Sequence, residues 1–278
     1  MTLFLNFRSQ SVGGAVIDPY VLEGDGTAAP PAVTSLAWDE IGRRASGKHV
    51  LLAAHGFNVS YEDGACSMDR LGAALDLAAS ELFLGVLWPG DYWLPAVNYP
   101  FAGETSIDCG RRLARFCNRW LTGANAISFI SHSLGARLVL EAVKGLGRPA
   151  RVVCLAAGAI NRDCLTAEYA AARANCGAIS NLASVDDKVL KLAFPVGDAL
   201  SDALHDDHTP FTPALGYRGP PAPPPSAVAP AQIPAADGYD HGDYMPPAGP
   251  GPLAQGGKWR DAVGYMARAF RGQAQTWP

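Results

Sequence analysis

Short runs of apolar residues alternate along the chain with longer stretches in which apolar residues recur every three or four positions. Short runs are typical of buried β-strands, and the wider spacing is typical of amphipathic helices. The pattern predicts strands at residues 3–7, 15–22, 50–54, 82–88, 126–131, 151–157 and 178–183. It predicts helices at residues 65–80, 107–121, 134–146, 166–174 and 258–271. In the third helix one apolar face is formed by Leu134, Leu138, Val139, Ala142 and Val143.

Almost uniformly apolar strands separated by helices indicate an α/β fold with a mainly parallel sheet covered by helices on both faces. A chain of 278 residues can bury one large core, so we expect a single domain over residues 1–278. Residues 209–252 break the pattern because they are dense in proline, glycine and alanine. Such a composition favours extended surface segments. We expect a linking excursion from the domain, with a docking peptide for a proline-binding partner as the alternative.

The predicted strand 126–131 leads directly into a turn around Ser133 and then into a helix. A tight turn of this kind exposes the serine hydroxyl, and the residues two before and two after it must be small so that strand and helix can approach. Ser131 and Gly135 meet this need, although a serine replaces the first glycine of G-x-S-x-G. Ser133 is therefore a candidate nucleophile, and the alternative is a serine that only caps the helix. His132 should point away from the Ser133 hydroxyl.

A second turn, His55-Gly56-Phe57-Asn58, follows the predicted strand 50–54. In hydrolases with such a serine turn, this loop and the residue after the nucleophile each supply a backbone N–H to the oxyanion. We therefore predict oxyanion contacts from the amides of Phe57 and Leu134. Gly56 would let a substrate come close to these amides. His55 is expected to hydrogen-bond the loop backbone and to have no catalytic role.

These motifs resemble those of the α/β-hydrolase family, and within it a bacterial branch of uncharacterised serine hydrolases and esterases. The shared patterns are H-G-[FY]-N, S-H-S-[LM]-G and a later D-x-[AV]-L, and the resemblance extends over about residues 48–270. It implies an α/β-hydrolase fold and a triad in the chain order serine, acid, histidine. It selects Asp187 as the acid. Asp186, its neighbour, and Asp163, which follows the preceding strand, remain the second and third candidates.

Three histidines follow Asp187, and they are His205, His208 and His241. His241 lies in a turn-rich loop shortly before the last predicted helix, where the resembled family carries its catalytic histidine, so we expect it to be the base. His205 and His208 fit solvated surface groups better. They could also bind a divalent cation together with His241, but no helix or strand spacing fixes a third ligand. We therefore predict no metal and no cofactor.

Aromatic residues follow the predicted strand 82–88, and loops at the carboxyl ends of parallel strands line the binding crevice. Trp88, Trp93 and Tyr99 are therefore predicted to form an apolar substrate pocket, although Trp88 could equally seal the core. Such a pocket suits a small-molecule acyl or ester substrate. The predicted activity is hydrolysis of a carboxylic ester through an acyl-enzyme intermediate. The alternatives are a non-catalytic ligand-binding protein on the same scaffold and an acyltransferase with the same triad.

Charge and cysteine content narrow the expected partners and location. The net charge of −4 offers no basic face, which argues against nucleic acid and anionic membrane surfaces as partners. The first residues lack the layout of a signal peptide, and no apolar run is long enough to span a bilayer, so we expect a cytoplasmic protein. The six cysteines show no metal-binding spacing. Reduced thiols are therefore expected, although Cys164 and Cys176 could pair.

Overall fold

The computed structural model describes residues 1–10, 12–91, 95–194, 212–249, 251–253, 256–273 and 276–278, and for residues 95–101 and 193 it describes the backbone only. Within these residues the strands are β1 Thr2–Arg8, β2 Val16–Asp25, β3 Ala32–Leu36, β4 His49–Ala54, β5 Glu81–Leu87, β6 Ala126–His132, β7 Ala150–Ala156, β8 Cys176–Ser184 and β9 Val228–Ile233. The α-helices are α1 Trp38–Ala45, α2 Tyr61–Ala74, α3 Pro95–Trp120, α4 Gly135–Lys144, α5 Ala170–Ala174, α6 Leu215–Arg218 and α7 Trp259–Phe270.

The strands form one sheet in the order β3-β2-β1-β5-β4-β6-β7-β8-β9. The pairs β1–β2 and β2–β3 are antiparallel, and every other neighbouring pair is parallel. The predicted mainly parallel α/β architecture is therefore confirmed. In the centre, Ala54 at the end of β4 pairs with Val86 of β5 and Ser131 of β6. These three strands end at the same level, which brings the loops that follow them to one edge of the sheet.

The seven predicted strands are all found, with ends that differ by a few residues, whereas β3, β9 and α1 were not predicted. Strand β3 is largely exposed and lacks an apolar run. Strand β9 lies inside the proline-rich segment and contains Pro230. It pairs with β8 at the end of the sheet, and an edge strand tolerates proline because one side needs no ladder donors. The proline-rich segment thus contributes to the sheet as well as linking its neighbours.

Helix boundaries differ more than strand boundaries. Helix α2 begins at Tyr61, ahead of the predicted start, because the Ser60 hydroxyl accepts a hydrogen bond from the Asp63 amide and caps the helix. Helix α3 begins already at Pro95, and proline is favoured in the first helical turn. The predicted helix 166–174 is α-helical only from Ala170.

The cysteine prediction is confirmed, since all six cysteines are buried free thiols. Among the described residues, no helix is both long enough and apolar enough to cross a bilayer.

Candidate active site

Ser133 stands in the turn between β6 and α4 with a backbone φ of 54°. A positive φ is strained for a residue with a Cβ and persists only where the surroundings fix it. The Ser133 N–H donates to the carbonyl of Ala156 at 3.1 Å, and its own carbonyl accepts from the amides of Ala136 at 3.0 Å and Ala159 at 3.1 Å. Backbone contacts with the end of β7, the loop after it and the first turn of α4 therefore hold the serine in this conformation.

Two glycines allow the turn to pack closely against the loop after β4. A Cβ built on Gly135 would lie 2.5 Å from the carbonyl oxygen of His55. A Cβ built on Gly56 would lie 2.9 Å from the Cβ of Ser133 and 3.0 Å from the Nδ1 atom of His132. Any larger residue at either position would push the loop and the turn apart.

The structure brings Ser133, His241 and Asp187 together in one chain of hydrogen bonds. The His241 Nε2 atom lies 2.8 Å from the Ser133 Oγ atom, and the His241 Nδ1 atom lies 2.8 Å from an Asp187 carboxylate oxygen. Since a carboxylate can only accept, Nδ1 carries the proton, and Nε2 is left to accept from the serine hydroxyl. Asp187 is fully buried, and its other oxygen accepts from the Leu190 amide at 2.9 Å. The carboxylate is thus fixed in place by the first turn of the segment that follows it.

The other two acid candidates lie in turns that their own backbone groups help to form. The Asp186 amide donates to the Ser184 hydroxyl at 3.1 Å, in the turn that ends β8. Asp163 lies in the loop after β7, where its carbonyl oxygen accepts from the amides of Thr166 and Ala167. Of the three aspartates, Asp187 is the one whose carboxylate is hydrogen-bonded to His241.

His241 lies at the start of a short 3-10 turn, His241–Tyr244, and hydrogen bonds fix the first residues of this turn. The Asp240 side chain accepts from the His241 amide, and the Asp243 side chain accepts from the Asp240 amide, both at 2.9 Å. This reciprocal arrangement is a capping box, which satisfies amides that the turn leaves unpaired. The Ser184 hydroxyl at the end of β8 donates to the carbonyl of Tyr239 at 2.9 Å. The loop is therefore tied to the strand that leads to Asp187.

His132, the residue before Ser133, contacts His241. Its Nε2–H donates to the carbonyl oxygen of His241 at 2.8 Å, and the two ring centroids are 4.9 Å apart. Burial lowers the pKa of His132 to about 3, so the ring is neutral at ordinary pH. No local sequence pattern indicates this contact, because it joins residues 109 positions apart.

The predicted structural role of His55 is confirmed. Its Nδ1–H donates to the Gly56 carbonyl at 2.9 Å, and its Nε2 accepts from the Trp88 amide at 3.3 Å. The prediction that Trp88 lines a substrate pocket is wrong. Its indole is fully buried, stacks on His55 and donates to the His55 carbonyl at 2.9 Å, so it seals the core beneath the loop. Trp93 lies outside the described residues and Tyr99 has only its backbone described, so their roles stay predictions.

The loop after β4 is braced from β1. The buried guanidinium of Arg8 donates to the Val59 carbonyl and pairs with the buried carboxylate of Asp91. The Asn58 amide donates to the carbonyl of Gly90 at 2.8 Å. Phe57 is therefore held between two fixed points, next to the glycine that touches Ser133.

The alternative metal site falls partly outside the described residues, because His205 and His208 lie there. Within the part of the chain that the structure describes, no three His, Cys, Asp or Glu side chains are grouped so that they could hold a metal ion.

Comparison with models of known protein families identifies the family of this chain. A family model described as "Alpha/beta hydrolase of unknown function (DUF900)" matches residues 37–212. The chain belongs to this family. The matched part of this α/β-hydrolase contains Ser133 and Asp187 and ends before His241. Membership supports hydrolase chemistry.

Two solved structures are similar to this hydrolase in fold. The crystal structure of esterase PE8 has a TM-score of 0.46 at 14% sequence identity, covering 83% of this chain and 95% of that chain. A structure from an analysis of two prolyl endopeptidases has a TM-score of 0.42 at 12% identity, covering 95% of this chain and 47% of that chain. This chain therefore spans less than half of the endopeptidase. No curated protein sequence matches it.

Proposed function

We propose that this α/β-hydrolase cleaves carboxylic esters through an acyl-enzyme formed on Ser133. The observation that carries the proposal is the continuous hydrogen-bond chain from Ser133 through His241 to Asp187, with both links at 2.8 Å. A serine hydroxyl is a weak nucleophile until an adjacent base accepts its proton, and that base must be oriented by a third group. The positive φ of Ser133 adds support, because backbone strain of this kind clusters at functional sites.

The geometry leads to a two-step reaction. Ser133 Oγ attacks the acyl carbon while its proton passes to His241 Nε2, and the Asp187 carboxylate stabilises the imidazolium that results. The oxyanion of the tetrahedral intermediate accepts hydrogen bonds from the amides of Phe57 and Leu134. His241 then gives its proton to the leaving alcohol as the bond to the acyl carbon breaks. Water, deprotonated by the same imidazole, attacks the acyl-serine, and His241 returns that proton to Ser133 Oγ as the bond to the acyl carbon breaks and the acid leaves.

The two alternative functions, acyl transfer and ligand binding without catalysis, predict different measurable results. An acyltransferase would share the acyl-enzyme step and pass the acyl group to an added alcohol or amine in preference to water. A ligand-binding protein would have no need of a serine hydroxyl aligned with an imidazole, and it would show no turnover.

Ester hydrolysis by the parent and by Ser133→Ala tests the proposal. We expect the parent to hydrolyse p-nitrophenyl acetate and butyrate, and the variant to lose about 10⁴-fold or more in turnover with an unchanged circular dichroism spectrum. Ser131→Ala is the matched control, because its buried hydroxyl has no hydrogen-bond partner among the described residues and should be dispensable. Equal turnover in the parent and in Ser133→Ala would overturn the assignment of the nucleophile.

A further inference from the structure

A cavity of about 340 Å³ lies between the loop after β4 and the segment that follows the 3-10 turn of His241. One wall is formed by Gly56, Val59 and residues in the first turns of α2, including Met68. The opposite wall is formed by Gly242 and by residues 245–248. We call residues 245–249 together with Gly251 the strap, because side chains of α2 donate hydrogen bonds to its backbone carbonyls.

Two residues that line the cavity lie next to the candidate site, although Ser133 and His241 are not themselves among the lining residues. Gly56 forms part of one wall and abuts Ser133, since a Cβ on Gly56 would come within 2.9 Å of the Ser133 Cβ. Gly242, on the other wall, directly follows His241. A group that fills the cavity would therefore contact the immediate neighbours of Ser133 and His241.

The strap is held in place by α2, which gives the cavity a preformed wall. The buried guanidinium of Arg70 donates to the carbonyl of Pro247 and to the carbonyls of Gly249 and Gly251, at 2.9 Å and 2.5 Å respectively. The Ser67 hydroxyl donates to the Pro246 carbonyl at 2.9 Å. Hydrogen bonds from a charged donor are stronger than those between neutral groups. A wall fixed in advance reduces the ordering cost of binding.

The lining favours an uncharged, apolar occupant. Val59 and Met245 contribute apolar surface, and the strap adds two prolines. None of the described lining residues is a lysine or arginine, and the carboxylate of Asp63 lies among them. Both lining histidines, His55 and His132, are neutral, because burial lowers the pKa of each to about 3. A negatively charged group would find no cation here.

We propose that this cavity binds the acyl chain of the ester and selects short, uncharged, aliphatic acyl groups; the inference rests on the proposed ester hydrolysis. The acyl carbon is bonded to Ser133 in the acyl-enzyme, and Gly56, which lines the cavity, packs against that serine. Pockets for small molecules range from roughly 300 to 1,000 Å³, so this cavity falls at the small end. That size fits a chain of a few carbons better than a long fatty acyl group.

Two variants that fill the cavity test the proposal. Ala248→Leu enlarges a side chain of the strap, and because Ala248 is exposed the substitution should not disturb the packing of the core. Val59→Phe enlarges a side chain on the opposite wall. Ala229→Leu, an exposed position of β9 away from the cavity, is the matched control. Initial rates are measured with p-nitrophenyl acetate, butyrate and hexanoate, so that only the acyl chain changes.

We expect kcat/KM for hexanoate to fall at least about tenfold in both filled variants, while kcat/KM for acetate stays within about threefold of the parent. The parent should also cleave the nitrophenyl hemisuccinate at least about tenfold less well than the butyrate, because the second carboxylate has no cation to meet. Ala229→Leu should keep the parent profile.

Labelling with a fluorophosphonate probe distinguishes a failure of the proposed ester hydrolysis from a failure of the proposed acyl-binding cavity. A parent that takes up no probe and hydrolyses no ester overturns both the proposed function and the cavity assignment. A parent that is labelled and active, with the same chain-length profile in Ala248→Leu and Val59→Phe as in Ala229→Leu, overturns the cavity assignment alone. A change in preference among leaving alcohols, with acyl preference unaltered, would likewise show that the cavity does not hold the acyl chain.

Discussion

The turn that carries Ser133 and the loop that carries His241 reach the same site by different means. Ser133 lies between two consecutive elements, β6 and α4. Backbone hydrogen bonds within its own turn and to residues at and just after the end of β7 hold its strained backbone in place. His241 lies within the proline-rich segment, after β9. Its loop is held by residues far along the chain, since the hydrogen bonds to Asp187 and His132 span 54 and 109 positions.

The two regions should therefore respond differently to substitution. Around Ser133 the packing is too close to accept a larger side chain, because Gly56 and Gly135 leave no room for a single added carbon. Around His241 there is more room, since the exposed neighbour Gly242 has open space around it, and the position of the loop depends on its hydrogen bonds. Substitutions that add volume should therefore damage the serine turn most, and substitutions that remove a charge or a donor should damage the histidine loop most.

The largest loss of turnover is expected from a substitution at the aspartate that is hydrogen-bonded to His241. Asp187→Asn keeps the shape of the buried side chain and removes the charge that stabilises the imidazolium, so turnover near neutral pH should fall by roughly 10³- to 10⁴-fold. Asp186→Asn and Asp163→Asn should lose far less, because neither carboxylate is bonded to His241. Ester hydrolysis by the three variants, each checked by circular dichroism, makes the comparison. If Asp163→Asn or Asp186→Asn proves to be the crippled variant, the assignment of the acid is wrong.

A pair of glycine substitutions tests the limit of space. Gly56→Ala would place a Cβ 2.9 Å from the Ser133 Cβ and force the loop or the serine turn to shift. A displacement of about 1 Å can cost about 100-fold in rate, and we expect a loss of that order in kcat/KM. Gly242→Ala is the control, since its Cβ meets nothing within 4 Å. Equal activity in the two variants would contradict the close packing described for the turn.

The smallest effect concerns the two buried histidines that flank the turn. Burial lowers the pKa of His55 and His132 to about 3, whereas an unfolded histidine titrates near about 6.5. Between these values the unfolded chain takes up protons that the folded chain does not, so stability should fall as the pH falls, by about 1.4 kcal/mol per pH unit for each residue. This stability is fully present above about pH 6.5 and is lost progressively on acidification.

Urea unfolding between pH 7 and pH 4.5 measures this slope in the parent, His55→Asn and His132→Asn. The carboxylates contribute equally to all three proteins and cancel in the differences. Each variant should therefore show a shallower decline than the parent. Identical slopes would show that these imidazoles are protonated as readily in the folded protein as in the unfolded chain.

The sequence predicted the regular part of the molecule well because that part depends on local patterns. The apolar runs that became β4 and β6, and the small residues around Ser133, indicate both the sheet and the turn without tertiary information. Asp187 and His241 came from the resemblance and from their order in the chain. Their proximity is visible in the structure, and their catalytic roles stay part of the proposal.

The parts that the sequence did not predict depend on long-range contacts. Arg70 reads as an ordinary helical arginine, and its role in holding the strap rests on backbone carbonyls about 180 positions away, which have no sequence signature. Trp88 was assigned to a pocket because aromatic residues at strand ends serve either purpose. Only the burial of its ring against His55 distinguishes the two.

Covalent labelling tests most directly whether Ser133 is an activated nucleophile. The parent is incubated with a fluorophosphonate probe, its intact mass is measured, and the modified peptide is sequenced by tandem mass spectrometry. We expect one adduct per chain, located on Ser133, absent in Ser133→Ala and formed much more slowly in Asp187→Asn. A parent that stays unmodified, or one that is modified at another residue while Ser133 remains free, would contradict the proposed role of Ser133.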